Sequence, residues 1–289
     1  MPIALALAAA LVYGASDFLG GLASRRTSTI SVVIWSQGLG LLLLAVVVPI
    51  AGGNAVASDV AWGALCGVAG AAAIALLYRG LAIGTMGIVS PLSAVLGASI
   101  PMIYGVVLRG EHPTWVAYAG IAAALLAVIC VSAAERSDSE DRVTHRRAGP
   151  FPPGVPEALF AGIAFGIFFI ALAQTRADAG MVPLLAARVT SIILLVGGGL
   201  AFGGVTNVRI ARPALPLVLL CGTLDMSANV LYVIAAHRGM LAIVAVLTSL
   251  YPAATVGLAA IVLRERLGQL QWIGVALALG GAAAIAGGS

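Results

Sequence analysis

About ten stretches of roughly 20 mainly apolar residues take up nearly the whole of this chain. They lie near 3–23, 29–51, 60–81, 86–108, 115–133, 154–174, 181–202, 213–236, 240–262 and 269–288, and a membrane-spanning helix requires a stretch of that length and character. With 61% hydrophobic residues, 9% charged residues and a mean hydropathy of +1.10, the composition is far from that of a soluble domain. The expected fold is an all-α polytopic membrane protein. Most connections between the stretches are too short to hold a soluble catalytic or nucleic-acid-binding domain, so the pI near 9.3 does not point to nucleic acid. Cys66, Cys130 and Cys221 each fall inside an apolar stretch without close spacing, which suggests neither a disulfide framework nor a zinc site. The opening segment lacks a positively charged start and runs on to Asp17, so it is expected to be a first span that is retained.

One long polar connection, residues 134–153, carries Glu135, Asp138, Glu140 and Asp141 ahead of Arg142, Arg146 and Arg147 and reads as a solvated linker. It divides the spans five and five, into repeats at 1–133 and 154–289. "YRGLAIGTM" from Tyr78 is echoed by "YVIAAHRGM" from Tyr232, and the same offset carries Met86 to Met240, Glu111 to Glu265 and Gly120 to Gly274. A constant offset over that length indicates duplication. Because five is odd, the second copy has to cross the membrane in the opposite sense, giving two inverted five-helix repeats around a central cavity.

The paired halves, "YGASDFLGG" in the first span, and the "RGEH" and "LRERL" turns after the fourth and ninth resemble the EamA family of the drug/metabolite transporter superfamily. The resemblance covers nearly the whole chain. It implies a ten-helix carrier that moves a small metabolite, often outward, through a cavity lined by helices one, three, four, six, eight and nine. Family members often carry an Arg where Arg188 stands in the seventh span. The equivalent place in the second span holds Trp35 or Ser36, a departure that puts a symmetric role for the two positions in doubt. Glu111 and Glu265 match the family's acidic residue just past a span and are expected to fix a turn.

Three ionisable residues lie well inside spans: Asp17, Arg188 and Asp225. Each isolated charge at the centre of a bilayer costs about 2.5–3.5 kcal/mol even on a lenient scale. They persist only by facing a wet cavity, pairing with one another or spending time protonated. Asp225, Asn229 and Tyr232 follow an i, i+4, i+7 spacing on the eighth span, and Tyr13, Asp17 and Ser24 fall close to one face of the first; a polar stripe of this kind points inward. The fourth and ninth spans offer matched faces, Ala94, Gly97, Ala98 and Pro101 against Thr248, Tyr251, Pro252 and Thr255. The expected substrate-binding or coupling residues are therefore Asp225, Arg188, Asn229, Asp17, Tyr13, Tyr78, Tyr232, Tyr251 and Thr248, with Pro101 and Pro252 at kinks that gate the site. Against this stands a bland alternative, in which Asp225 and Arg188 merely lock helices seven and eight together. For Asp17, a capping role is the plain alternative.

The function expected is secondary active transport of a small metabolite such as an amino acid, an amine or a related solute, with Asp225 as the proton carrier of a proton-coupled exporter. A flippase for an amphiphilic lipid-linked substrate and a non-transporting membrane sensor are the rival readings. No nucleophile and base pair stands at helical spacing, and the three His are scattered at span ends or in the linker, so enzyme chemistry, metal and cofactor are not expected. The expected partners are the solute, protons and the lipid bilayer, without nucleic acid. A monomer is expected, with a homodimer as the alternative. The location expected is the cell's inner (plasma) membrane, crossed many times. All 15 basic residues are Arg, and those between spans gather on one side of the membrane. That bias places both termini outside the cytoplasm, whereas the resemblance implies termini inside.

Overall fold

The structure, a computed structural model, describes every residue except 85, 134–152, 202–209, 211, 263–267 and 288–289. The polar linker, apart from Pro153, and Glu265 thus lie outside the described residues. Hydrocarbon offers no partner to backbone N–H and C=O groups, so an apolar chain must close its hydrogen bonds within each segment. Helices result: α1 (Pro2–Ser24), α2 (Thr29–Ala51), α3 (Ala57–Ile83), α4 (Met86–Leu108), α5 (Trp115–Ala133), α6 (Val155–Ala173), α7 (Val182–Ala201), α8 (Leu215–Ala236), α9 (Leu241–Thr248), α10 (Tyr251–Val262) and α11 (Gln269–Gly287). Six segments are long and apolar enough to cross a membrane: α1, α2, α3, α6, Arg212–Ala236 and Leu241–Val262. Shorter apolar runs lie in α4, α5 and α7. Large side chains such as Leu42, Val46, Ile50, Val107, Phe160, Ile193 and Ile261 stand exposed around the outside. A soluble protein would bury such a belt, but lipid accommodates it. The chain is a multi-pass membrane protein.

Exchanging α1 for α6, α2 for α7, α3 for α8, α4 for α9 with α10, and α5 for α11 turns most of the main packing pairs into one another or onto themselves. The contact of α1 with α8 becomes that of α3 with α6; α2 with α8 becomes α3 with α7; and α1 with α9 and α10 becomes α4 with α6. The pairs α2 with α7 and α5 with α11 map onto themselves. Close approach at the α5–α11 contact uses small residues, since a Cβ on Gly281 would lie 2.8 Å from the Gly120 carbonyl oxygen.

The two halves differ in how the fourth span of each is built. The ninth apolar stretch, expected as one span over 240–262, is two helices separated at Ser249 and Leu250. Pro252 has no N–H to return to the Thr248 carbonyl, and α1 packs into the gap. Gly14 of α1 lies so close that a Cβ there would meet the Tyr251 carbonyl oxygen at 2.3 Å, and Thr255 Oγ1 donates to the Gly14 carbonyl at 3.1 Å. Pro101, one of the two expected gating prolines, sits in an α4 that runs unbroken.

At one end of the molecule the connections are tied together. Asp59, buried at the start of α3, accepts hydrogen bonds from the Val56 amide (3.0 Å), the Arg176 amide (2.9 Å) and Arg176 Nε (3.1 Å). Arg176 also donates to the Asn54 carbonyl at 2.6 Å, and the Asn54 amide donates to the Asp178 carbonyl at 2.7 Å. The α2–α3 and α6–α7 connections are thereby fastened to each other. Nearby, His237 Nε2 and Thr175 Oγ1 lie 3.3 Å apart, and partial burial holds the imidazole below its ordinary pKa range,.

Glu111, just past α4, is bonded across the fold. Its two carboxylate oxygens accept from the amides of Leu241 (2.9 Å) and Ala242 (2.8 Å) in the first turn of α9. It fixes the start of a helix in the other half, where the sequence suggested a turn of its own. A carboxylate at a helix N-terminus is stabilising both by hydrogen bonding and by the helix dipole. Glu111→Ala is expected to lower stability by about 1–2 kcal/mol, read as a lower melting temperature in detergent, with Glu111→Gln intermediate between the two. Identical melting of all three proteins would refute the capping role.

Candidate binding site between the halves

Five helices bring polar groups to the middle of the molecule. The α7 side chain of Arg188 reaches the α8 carboxylate of Asp225, Nη2 to Oδ2 at 2.5 Å, and its Nη1 donates to Gln37 Oε1 of α2. All three residues are buried. Gly40, one turn along α2 from Gln37, leaves the space that the guanidinium occupies, since a Cβ there would lie 3.3 Å from Arg188 Nε. A turn further along α8, Asn229 turns its Nδ2 back to the Asp225 carbonyl at 2.7 Å. Its Oδ1 and the hydroxyl of Tyr13 on α1 are buried without a hydrogen-bond partner among the described residues. Ser191, on α7 and also beside the cavity, donates to the Gly67 carbonyl of α3 at 2.8 Å.

These groups line a narrow cavity with a volume of about 20 Å³. Its other walls are Cys66, Gly70 and Ile74 of α3, Phe165, Phe168 and Phe169 of α6, and Leu184 and Ala187 of α7. The aromatic wall is continuous: Phe168 and Phe169 meet edge to face at 5.4 Å between centroids, and Tyr13 meets Phe169 edge-on at 6.2 Å. Much of the space is crevice narrower than a water molecule, so the chamber is closed around its charges in this conformation. Both halves contribute, α1 to α3 from one and α6 to α8 from the other. The resemblance implied α4 and α9 among the lining helices, but α2 and α7 line this cavity in their place.

Of the residues singled out from sequence, Tyr13, Arg188, Asp225 and Asn229 border the cavity. Tyr232, on the same expected stripe of α8, turns away from it. Its ring lies against Phe169, with centroids 4.5 Å apart, and its hydroxyl donates to the Phe169 carbonyl at 3.2 Å. Tyr78 is buried with its hydroxyl 3.1 Å from Cys221 Sγ and its ring against Gly20 of α1. Tyr251 pairs with Ser93 Oγ at 2.9 Å. Thr248, at the end of α9, is fully buried, and its Oγ1 has no partner among the described residues. Asp17 lies beside this group, close enough to Asp225, Tyr78 and Tyr251 to interact electrostatically with them, but not in the cavity wall. Pro252 marks the break before α10, and Pro101 is buried in α4.

Gln37 and the α6 phenylalanines are the members that sequence reasoning passed over. A neutral glutamine costs less in lipid than a charge and drew no notice, although a polar amide inside the apolar run of α2 was a usable signal. The phenylalanines of "FGIFF", residues 165–169, carry no signal that separates a cavity wall from core, because aromatic residues in an apolar helix usually pack in the core.

A buried pair of opposite charges is neutral as a unit, and Gln37 satisfies part of the remaining donor capacity of the guanidinium. Such a pair next to an aromatic wall offers a cation and an anion that an incoming solute with charges of its own can engage in exchange for each other. A family model described as the EamA-like transporter family matches residues 1–133 and 153–287. A solved structure described as "Crystal structure of protein" is similar over 96% of this chain and 95% of that one, at 16% identity and a TM-score of 0.70, which speaks for the fold. No curated protein matches the sequence.

Proposed function

The chain belongs to the EamA-like transporter family, and on that premise we propose that it is a secondary active carrier working by alternating access on a small charged metabolite such as an amino acid, an amine or a related solute. The observation that carries the reading is the Arg188–Asp225 pair, set with Asn229 and Tyr13 in a chamber to which both halves contribute. A carboxylate on the solute finds Arg188, an ammonium finds Asp225, and an apolar or aromatic body lies against Phe165, Phe168 and Phe169. The closed chamber corresponds to the occluded point of a cycle in which the two repeats, crossing the membrane in opposite senses, part at one end or the other. The driving force is a gradient of solute or protons. The membrane is the cell's inner (plasma) membrane, and the arginine bias orients both termini away from the cytoplasm. The unit of transport is the monomer.

The test is a thermal-shift screen of the purified protein against a panel of amino acids, amines and purines, followed by counterflow of each hit in proteoliposomes. A solute at 100 times its Kd raises stability by about 2.7 kcal/mol, and a carrier then exchanges labelled for unlabelled solute across the vesicle wall. Shifts produced only by lipid-like amphiphiles would transfer the reading to a flippase. A shift without counterflow would make the protein a sensor.

A further inference from the structure

Among the described residues, Asp17 is the buried charge-bearing group near the cavity that the binding chemistry leaves unused. It is 7% exposed, and among the described residues its carboxyl makes no hydrogen bond and no ion pair. The adjacent Ser16 hydroxyl is taken by the Cys221 carbonyl at 3.0 Å. One turn either way along α1, the chain closes against neighbours: the Tyr251 carbonyl abuts Gly14, and the Tyr78 ring abuts Gly20.

The groups facing Asp17 supply no cation. From α8 come Cys221 and Asp225, from α3 Tyr78, and from α10 Tyr251. Tyr13 is its neighbour on α1. Neither α2 nor α9, which also pack on α1, contains a titratable residue. The hydroxyls of Tyr78 and Tyr251 are engaged with Cys221 and Ser93. Arg188, the cation of the cavity wall, is committed to Asp225. The Tyr13 hydroxyl is free but makes no bond to Asp17, so an ionised carboxylate placed here has no counter-charge and no hydrogen bond among the described residues and faces a second carboxylate, whereas the neutral acid carries neither penalty.

We propose that Asp17 is a proton-carrying site separate from the Arg188–Asp225 pair, holding its proton while the chamber is closed and releasing it when the chamber opens to water. In release the carboxyl O–H bond breaks, the proton passes to a water molecule, and a solvated carboxylate remains. This replaces Asp225 as the expected proton carrier, because Asp225 already has a cation at 2.5 Å and needs no proton to be neutralised. That the proton drives solute movement rests on the carrier reading; that Asp17 holds one does not.

The experiment is infrared difference spectroscopy of the full-length protein in lipid vesicles at neutral pH, with and without ¹³C-labelled aspartate. A carbonyl stretch of a protonated carboxylic acid, shifted by the label, is expected in the wild type and in Asp225→Asn and is expected to vanish in Asp17→Asn. Asp17→Asn is close in shape and should melt within a few degrees of the wild type. Should it not fold, Asp17→Glu tests the same point, because the label-sensitive band is then replaced by one insensitive to labelled aspartate. A band lost in Asp225→Asn and kept in Asp17→Asn, or no such band in the wild type, overturns the proposal. Proton release on solute counterflow, followed with a pH dye inside the vesicles, is the second arm. A band on Asp17 in a protein that moves no solute leaves the proton site standing and removes the carrier reading. Solute flux without that band does the reverse.

Discussion

A double variant, Arg188→Met with Asp225→Leu, is expected to be at least as stable as the wild type and to move no solute, while either change alone lowers stability by about 3–5 kcal/mol. The reasoning runs from the geometry of the pair. Arg188 and Asp225 are both buried, 2.5 Å apart and joined to Gln37. Removing one partner strands the other as an uncompensated charge, which is the expensive outcome, whereas exchanging both for apolar side chains of similar volume removes the desolvation penalty of both. If the pair existed only to lock α7 to α8, the double variant would transport normally as long as it folded. Melting temperatures in detergent and counterflow in proteoliposomes separate the cases. Normal flux in the stable double variant would take the pair out of the mechanism.

Gly14→Ala is expected to destabilise by about 1–3 kcal/mol through overpacking. The new Cβ would sit 2.3 Å from the Tyr251 carbonyl oxygen and 2.6 Å from Ala254 Cβ. Neither contact is with the free end of a flexible side chain, so the helices themselves must separate. The same substitution at Gly40 meets only the Arg188 side chain, at 3.3 Å, and shifts that side chain more than the fold. At Gly38 a Cβ meets nothing within 4 Å, and alanine there should gain about 0.5–1 kcal/mol from helix propensity. Equal melting of the Gly14 and Gly38 variants would show that α1 does not lean on the break between α9 and α10.

The helices were legible because apolar length is a direct consequence of bilayer thickness, and the offset between the halves survives in residues such as Tyr78 and Tyr232. Pairing of Arg188 with Asp225 was one of few ways to keep two charges in lipid. What failed to show was which partner a polar group finds. Asp225, Asn229 and Tyr232 share a face by spacing, but a tyrosine long enough to reach the Phe169 carbonyl leaves the cavity for the core. Asp59 stands at a span edge, where a carboxylate is cheap, so nothing in its surroundings announced its bonds to Arg176. By the offset Pro252 stands opposite Ala98 and Pro101 opposite Thr255, so the two prolines lie about one turn apart in the two copies, and only Pro252 interrupts its helix. Whether a proline bends or breaks a helix depends on what packs against the freed carbonyl, and that is tertiary information.

The interruption at Ser249 and Leu250 gives one repeat an elbow that its twin lacks. For a carrier whose two end states are related by swapping the repeats, identical copies would make the inward and outward shapes mirror equivalents and equally easy to reach. On the carrier reading proposed above, a jointed arm would fold at a fixed place while the straight arm swung whole, and the two openings would differ in width and in energy. Such a machine would have a resting side.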